Sequence, residues 1–186
     1  MARTMTDNEP RRIGVSIELK PHAYDPVANP ELFEGVLARR VIASIIDITI
    51  IAIPVLLAGI FMAAATIATL GLAALLFAFL SPLYWPLIVL WALFYYGYTF
   101  GSAASATIGM RVMDLEMRTW YGAPAYFVLG AVHALVFWLT VSFLTPLVLL
   151  VGFFNQRKRL LHDIVVGTVV INNSVRAQVV RDVRRA

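Results

Sequence analysis

The sequence of 186 residues contains no cysteine and few charged residues. The absence of cysteine excludes disulfide bonds, thiolate metal sites and a cysteine nucleophile. Charged residues make up 14% of the chain and hydrophobic residues 60%, whereas about 25% of residues are charged in a typical soluble domain. This balance is typical of a membrane protein.

Two long stretches carry no Asp, Glu, Lys or Arg, from Ile48 to Met110 and from Thr119 to Gln156. A membrane-spanning helix needs about 20 apolar residues. The first stretch therefore suits two spans, which we predict at 36–65 and 72–99, with a turn around Thr66–Gly71.

A second arrangement of the same stretch remains open. Ser81-Pro82 and Pro86 interrupt the apolar run, and proline removes a helical hydrogen bond. Leu83–Phe100 could then form the span, with Leu72–Leu80 as a separate segment at the outer membrane interface.

The second uncharged stretch is harder to divide. The 29 residues Tyr126–Phe154 are ample for one span and short for two. Because Thr145-Pro146 interrupts them, we predict a broken helical hairpin with arms at 125–143 and 146–155. One tilted span is the alternative.

The fifteen Lys and Arg residues fall in three clusters, within residues 1–40, 101–125 and 155–186. Basic residues close to the ends of spans favour the cytoplasmic side. We therefore expect all three clusters and both termini in the cytoplasm. An even number of crossings must then separate successive clusters, which favours the hairpin.

The predicted fold class is an all-α membrane protein with two long helices, a short cytoplasmic connector and the shorter hairpin. Residues 34–172 form its membrane domain, between a polar tail at 1–33 and a basic tail at 173–186, of which we expect the last dozen residues to be flexible. Strand-like patterns predict a possible small cytoplasmic sheet from two or three of the segments Ile13–Leu19, Met110–Glu116 and Ile164–Ile171.

Asp47 is the most informative single residue, since no other acidic or basic side chain lies between Val41 and Met110. It follows Arg40 by seven residues, which places both on one helix face about 10.5 Å apart. A carboxylate at that depth is costly unless it is protonated, hydrogen-bonded or hydrated. Ser44 lies between the two and could bridge them, whereas Asp163 is the obvious partner for Arg40.

Three elements of the sequence resemble the RDD family, which is named for one arginine and two aspartates. Arg39-Arg40 through Asp47 resembles the opening element, Gly109–Val112 the "GLRV" element, and Arg159–Val170 the closing "R-x-x-HD-x-x-x-GT-x-V" element. The likeness covers roughly residues 35–171 and implies that Arg40, Asp47 and Asp163 are the name-giving trio. It also implies a bacterial inner-membrane protein without an assigned molecular activity, for which transport has been suggested.

The sequence departs from that family at two places. Ala104-Ser105 stands where many members have Gly-Lys, so no role of that lysine can be transferred. His133 stands where many members carry an arginine. A histidine within an apolar helix is more often hydrogen-bonded between helices than a proton carrier.

The remaining candidates carry weaker signals. His162 directly precedes Asp163, so we expect the two side chains to diverge in a helix or a strand. No two histidines have metal-ligand spacing, and we predict no metal or other cofactor. Tyr95, Tyr96 and Tyr98 have the positions of interfacial anchors. No phosphate-binding, dinucleotide, nucleophile-elbow or HExxH motif is present, which argues against an enzyme.

These observations leave two main functions. In the first, the protein is a small transport component in which Asp47 handles a proton or cation, while Arg40 and Asp163 form a gate. Its small size then implies a homo-oligomer or other membrane proteins as partners. In the second, it is a non-catalytic adaptor whose trio holds the fold together. In either case we expect contact with the lipid bilayer and anionic headgroups rather than with nucleic acid. A lipid-modifying enzyme is the least supported reading.

Overall fold

We analysed a computed structural model that describes residues 24–185, except for the side chains of 145–149. The chain is mostly helical. Its elements in order are α1 (Val36–Ala68), α2 (Leu72–Leu80), α3 (Tyr84–Phe100), α4 (Ile108–Val112), β1 (Leu115–Thr119), α5 (Phe127–Phe154), α6 (Leu161–Val166), β2 (Thr168–Asn172) and α7 (Ser174–Arg185).

Within the described part of the chain, three helical segments are long and apolar enough to cross a membrane: Pro30–Ala68, Leu72–Phe100 and Phe127–Leu144. The first two are joined by a turn at residues 69–71, where the sequence predicts it. A 3-10 turn at Ser81–Leu83 keeps α2 and α3 in one helical run, because Pro82 and Pro86 lie in first-turn positions that need no amide donor. The prediction of an all-α membrane fold is confirmed.

Helix α5 breaks at Leu144, whose φ of −133° and ψ of 29° are not helical. Before the break, Val141 lines a cavity together with Ser44 and Ile45 of α1. After it, Gly152 lies against the side chains of Leu37 and Leu160. The second arm therefore returns toward the start of α1, and whether both arms enter the membrane stays a prediction.

The small sheet is present, but its strands begin later than predicted. Strands β1 and β2 pair antiparallel, with Leu115 opposite Asn172 and Thr119 opposite Thr168. Residues 110–112 and 164–166, which the sequence predicts as strand, belong to the short helices α4 and α6 instead. The Ile13–Leu19 segment lies outside the described residues.

The reason for both errors is helix capping. The Thr107 hydroxyl accepts a hydrogen bond from the Met110 amide and starts α4, while Gly167 ends α6 with a φ of 74°. These caps allow a single helical turn or two in segments whose β-branched residues favour strand.

The expectation of a flexible C-terminal dozen is wrong for residues 175–185. They belong to α7, which buries Ala177 and Val180. Its basic face is anchored by ion pairs of Arg181 with Glu31 and of Arg184 with Glu34.

The buried residues lie at one end of the molecule. The main hydrophobic cluster joins the first half of α1, the end of α3, the start of α5 and the two strands. No residue from 52 to 94 is buried. We call the end that carries Arg40, the sheet, α6 and α7 the charged side. The candidate functional residues are all found there or one to two helical turns into the spans.

Candidate functional site

Asp47 lies on α1 and is 3% exposed. One carboxylate oxygen, Oδ1, accepts hydrogen bonds from the Tyr95 hydroxyl at 2.6 Å and the Gly109 amide at 2.8 Å. The other, Oδ2, accepts one from the Thr107 hydroxyl at 2.6 Å. The single side chain thus ties α1 to α3 and to α4.

The local sequence explains how α4 comes so close to Asp47. A Cβ at Gly109 would lie 2.2 Å from the Ala43 carbonyl oxygen and 3.0 Å from Cγ of Asp47. Only glycine allows this approach, which brings the Gly109 amide to the carboxylate. The Thr107 hydroxyl links α4 to Asp47, because it caps the helix and also donates a hydrogen bond to the carboxylate.

Arg40 and Asp163 form a second centre. The guanidinium binds the carboxylate through both terminal nitrogens, with Nη2 at 3.0 Å from Oδ1. Asp163 is fully buried and also accepts a hydrogen bond from the Leu160 amide, which begins α6. Arg159 closes the same turn by donating to the carbonyls of Asp163 and Thr168.

The electrostatics of Asp163 are set by two opposing effects. Burial raises the pKa of its carboxyl, but the positive charge of Arg40 and its hydrogen bonds lower it by more. The net pKa lies below the ordinary value. Asp163 is therefore a buried carboxylate with a matched counter-ion.

Two histidines complete this second centre. Nε2 of His162 lies 3.2 Å from Nη2 of Arg40, and Nε2 of His133 lies 3.7 Å from Oδ1 of Asp163. Nδ1 of His133 is hydrogen-bonded to the Thr168 hydroxyl at 3.2 Å. Burial lowers the pKa of His162 from 6.5 to about 3, against the pull of the Asp163 carboxylate. His162 is therefore neutral at physiological pH and can accept the Arg40 hydrogen bond.

The expected divergence of His162 and Asp163 is wrong. Both side chains turn toward Arg40, and Nε2 of His162 lies 3.5 Å from Oδ1 of Asp163. Donor atoms of His133, His162 and Asp163 also lie within 4.8 Å of one another, a cluster that the spacing of the histidines in the sequence does not predict. Sequence spacing could not show this, because α5 and α6 come together only in the fold.

That cluster fits an internal cation better than a metal ion. The Arg40 guanidinium bonds to two of its three members, His162 and Asp163, and supplies the positive charge that the carboxylate requires. A metal ion would have to displace this group. The site is thus an arginine-centred network of hydrogen bonds.

Ser44 does not form the predicted bridge between Arg40 and Asp47. Its hydroxyl donates to the Arg40 carbonyl at 2.8 Å, one turn back along α1. The trio is therefore divided into two centres, with Arg40 and Asp163 in one and Asp47 in the other.

A cavity of about 260 Å³ joins the two centres. Its charged and polar lining includes Arg40, Ser44, Asp47, Thr107, His133 and His162. Aliphatic side chains and aromatic rings make up most of the remaining wall. The cavity thus brings together all the predicted site residues except Asp163, which adjoins it through Arg40.

Several residues of the site could not be recognised from the sequence. Tyr95 and Tyr96 are buried and only Tyr98 is exposed, so two of the three predicted anchors are core residues. No local signal distinguishes them, because all three lie in one aromatic run. Gly109 was visible as part of the "GLRV" element, but its contact with Asp47 required the fold.

The fold and the site define a helical membrane protein with a buried arginine–aspartate pair at its charged side. The RDD family model matches residues 35–167, and the chain belongs to the RDD family. Comparisons with curated proteins and with solved structures give no match.

Proposed function

We propose that the protein is a non-catalytic transport component of the bacterial inner membrane that binds a cation or proton beside Asp47. The observation that carries this proposal is the cavity that meets both Asp47 and Arg40. In this arrangement the charged side and both termini face the cytoplasm, where the basic segments contact anionic headgroups.

The balance of charge supports a positive ligand. Leaving the two histidines aside, the described cavity wall carries one positive side chain, Arg40, and one negative side chain, Asp47. Outside this wall, Asp163 adjoins Arg40, and Arg159 donates to the carbonyls of Asp163 and Thr168. Arg40 is committed to Asp163. Asp47 is stabilised by three neutral donors and by no ion pair among the described residues. A buried carboxylate of this kind attracts a proton or cation from its surroundings.

The Arg40–Asp163 pair supports the role of a gate at the charged side. It joins α1 and α6 with two hydrogen bonds beside the cavity, whose wall includes Arg40. Opening it would separate two buried charges, which is costly unless a ligand or a proton compensates. With three candidate spans, the proposal also includes self-association or association with other membrane proteins to complete a path.

The test is cation flux in proteoliposomes that contain a pH-sensitive dye. We expect Asp47→Asn to lower proton or sodium flux roughly tenfold, as the loss of one charged hydrogen bond implies. Asp182→Asn, which neutralises an exposed carboxylate on α7, is the matched control and should leave flux unchanged. Equal flux in wild type and Asp47→Asn would end the proposal.

A role as a membrane adaptor is the second candidate. Its support is that both carboxylates and the Arg40 guanidinium are hydrogen-bonded within the chain. This is the arrangement of a group that holds helices together. It predicts that exchanging the charges of Arg40 and Asp163 partly restores the abundance lost in either single variant, while crosslinked partners are retained. Absence of any crosslinked membrane partner would count against it.

A further inference from the structure

We propose that the cavity between α1 and α5 binds a small ammonium compound with an apolar substituent, which enters from the lipid bilayer. The ammonium group lies at Oδ2 of Asp47 and the substituent against the aromatic wall. This inference rests on the proposed function and names the class of its ligand.

The hydrogen bonds around Asp47 leave room for one more donor. A carboxylate has about four lone-pair positions, two on each oxygen. Oδ1 accepts two hydrogen bonds, whereas Oδ2 accepts only that of Thr107 among the described residues. Because Asp47 lines the cavity, a ligand there can donate to the remaining position.

An anionic ligand does not fit the same cavity. Arg40 is the only arginine or lysine among the described residues of the cavity wall, and its terminal nitrogens already serve Asp163, His162 and the Lys158 carbonyl. An anion would have to displace Asp163 and would lie close to the Asp47 carboxylate. A positively charged hydrogen-bond donor meets neither obstacle.

An inorganic cation fits less well than an organic one. Hard metal cations take six or more oxygen ligands. The described cavity wall offers few side-chain oxygens, chiefly those of Asp47, Ser44 and Thr107, and is otherwise hydrocarbon and aromatic. Rings of Tyr96, Phe100 and Phe137 suit the apolar part of an ammonium compound, and their faces attract its charge. A volume of about 260 Å³ holds roughly nine water-sized groups, which limits the ligand to a small molecule.

The route of entry is lateral. Val41 and Ile45 line the cavity, yet they are 47% and 59% exposed on the surface of α1. Val141 lines the cavity from the facing arm of α5. Ile45 lies two residues before Asp47 in a span, so this side of the cavity opens toward lipid tails at about the depth of the carboxylate.

The experiment is a binding measurement on the full chain in lipid nanodiscs, with hexylammonium, hexanol and hexanoate as probes. All three partition into lipid, so heats are compared with those of empty nanodiscs. We expect saturable binding of hexylammonium alone, roughly tenfold weaker in Asp47→Asn and unchanged in Asp182→Asn. Ile45→Trp, which places a bulky ring at the entrance without touching the Asp47 hydrogen bonds, should slow association.

Each outcome decides the inference. Equal binding of hexylammonium and hexanol, stronger binding of hexanoate, or no saturable binding of any probe would overturn it. Unchanged affinity in a folded Asp47→Asn variant would overturn it as well. If that variant does not fold, an unchanged association rate in Ile45→Trp overturns it. Hexylammonium binding without cation flux would instead overturn the proposed function, and flux without binding would overturn only this inference.

Discussion

The two aspartates of the trio are stabilised in different ways, and this difference decides what their loss costs. Asp163 is fully buried and shares its charge with the largely buried Arg40. Asp47 is held by the dipoles of two hydroxyl groups and one amide. Removing Asp163 therefore leaves a buried guanidinium without a counter-ion, whereas replacing Asp47 by asparagine leaves an amide that can still accept hydrogen bonds.

Asp163→Ala should destabilise the protein by about 3–5 kcal/mol, the cost of leaving one partner of a buried ion pair unpaired. The variant also loses the bond from Asp163 to the Leu160 amide that begins α6. Thermal unfolding in detergent measures the effect. Asp182→Ala, on the exposed face of α7, is the control and should change stability by less than about 0.5 kcal/mol. Similar losses in both variants would show that the pair does not stabilise the fold.

Gly109→Ala should destabilise by about 2–4 kcal/mol. The added methyl group would meet the Ala43 carbonyl at 2.2 Å, so α4 must move away and the amide of residue 109 leaves Asp47. Gly59→Ala is the matched control, because nothing lies within 4 Å of its added Cβ and alanine favours the helix by about 0.5–1 kcal/mol. A neutral Gly109→Ala would mean that α4 does not pack on Asp47 as described.

His162 makes stability depend on pH. Its folded pKa of about 3 lies below the unfolded value of 6.5, so the unfolded state binds the proton more readily between these values. The full free energy of unfolding is present above pH 6.5 and falls as the pH drops toward 3, by up to about 1.4 kcal/mol per unit. His162→Gln keeps an acceptor for Arg40 but should give a shallower slope in thermal unfolding between about pH 6.5 and 4. Equal slopes in the wild type and in His162→Gln would show that the pH dependence comes from other groups.

At the scale of elements, the break in α5 determines whether the basic clusters can share one side. His133, in the first arm of α5, lies beside Asp163 and therefore near Arg40. Gly152, in the second arm, lies against Leu37 at the start of α1. A straight helix would instead carry residue 152 about 28 Å beyond residue 133, because each residue adds about 1.5 Å. The return at Leu144 explains why Arg157, Lys158 and Arg159 follow the second arm without violating the charge rule.

Paired cysteines test this return, and the chain has no native cysteine to interfere. Leu37→Cys with Gly152→Cys should crosslink rapidly with a short thiol reagent, because their side chains meet in the hairpin. Gly59→Cys with Gly152→Cys is the opposite case, as a straight α5 would bring residue 152 near that depth of α1. Crosslinking of each pair is measured by mass spectrometry as the loss of thiols that an alkylating reagent can still modify. Crosslinking of the second pair and not the first would show one continuous span.

At the scale of the whole molecule, spans and turns could be predicted from the sequence because hydrophobic length and charge act locally. The helix ends at residues 68 and 72 and the break before Pro146 follow from such signals. The hydrogen-bond partners of Asp47 could not be predicted in this way, since Tyr95, Thr107 and Gly109 lie 48 to 62 residues away along the chain. The short helices α4 and α6 also escaped prediction, because one threonine cap and one glycine outweigh a strand-like composition.

The charge asymmetry of the whole molecule predicts its orientation, which can be tested directly in intact bacterial cells. Leu70, 97% exposed in the turn between α1 and α2, should face the periplasm, whereas Gln178 on α7 should face the cytoplasm. With single cysteines at these positions, a membrane-impermeant thiol reagent should label Leu70→Cys in whole cells but Gln178→Cys only after permeabilisation. Labelling of both before permeabilisation would place α7 outside. The basic clusters would then lie on both sides of the membrane, which would remove the basis for a cytoplasmic gate at Arg40 and Asp163.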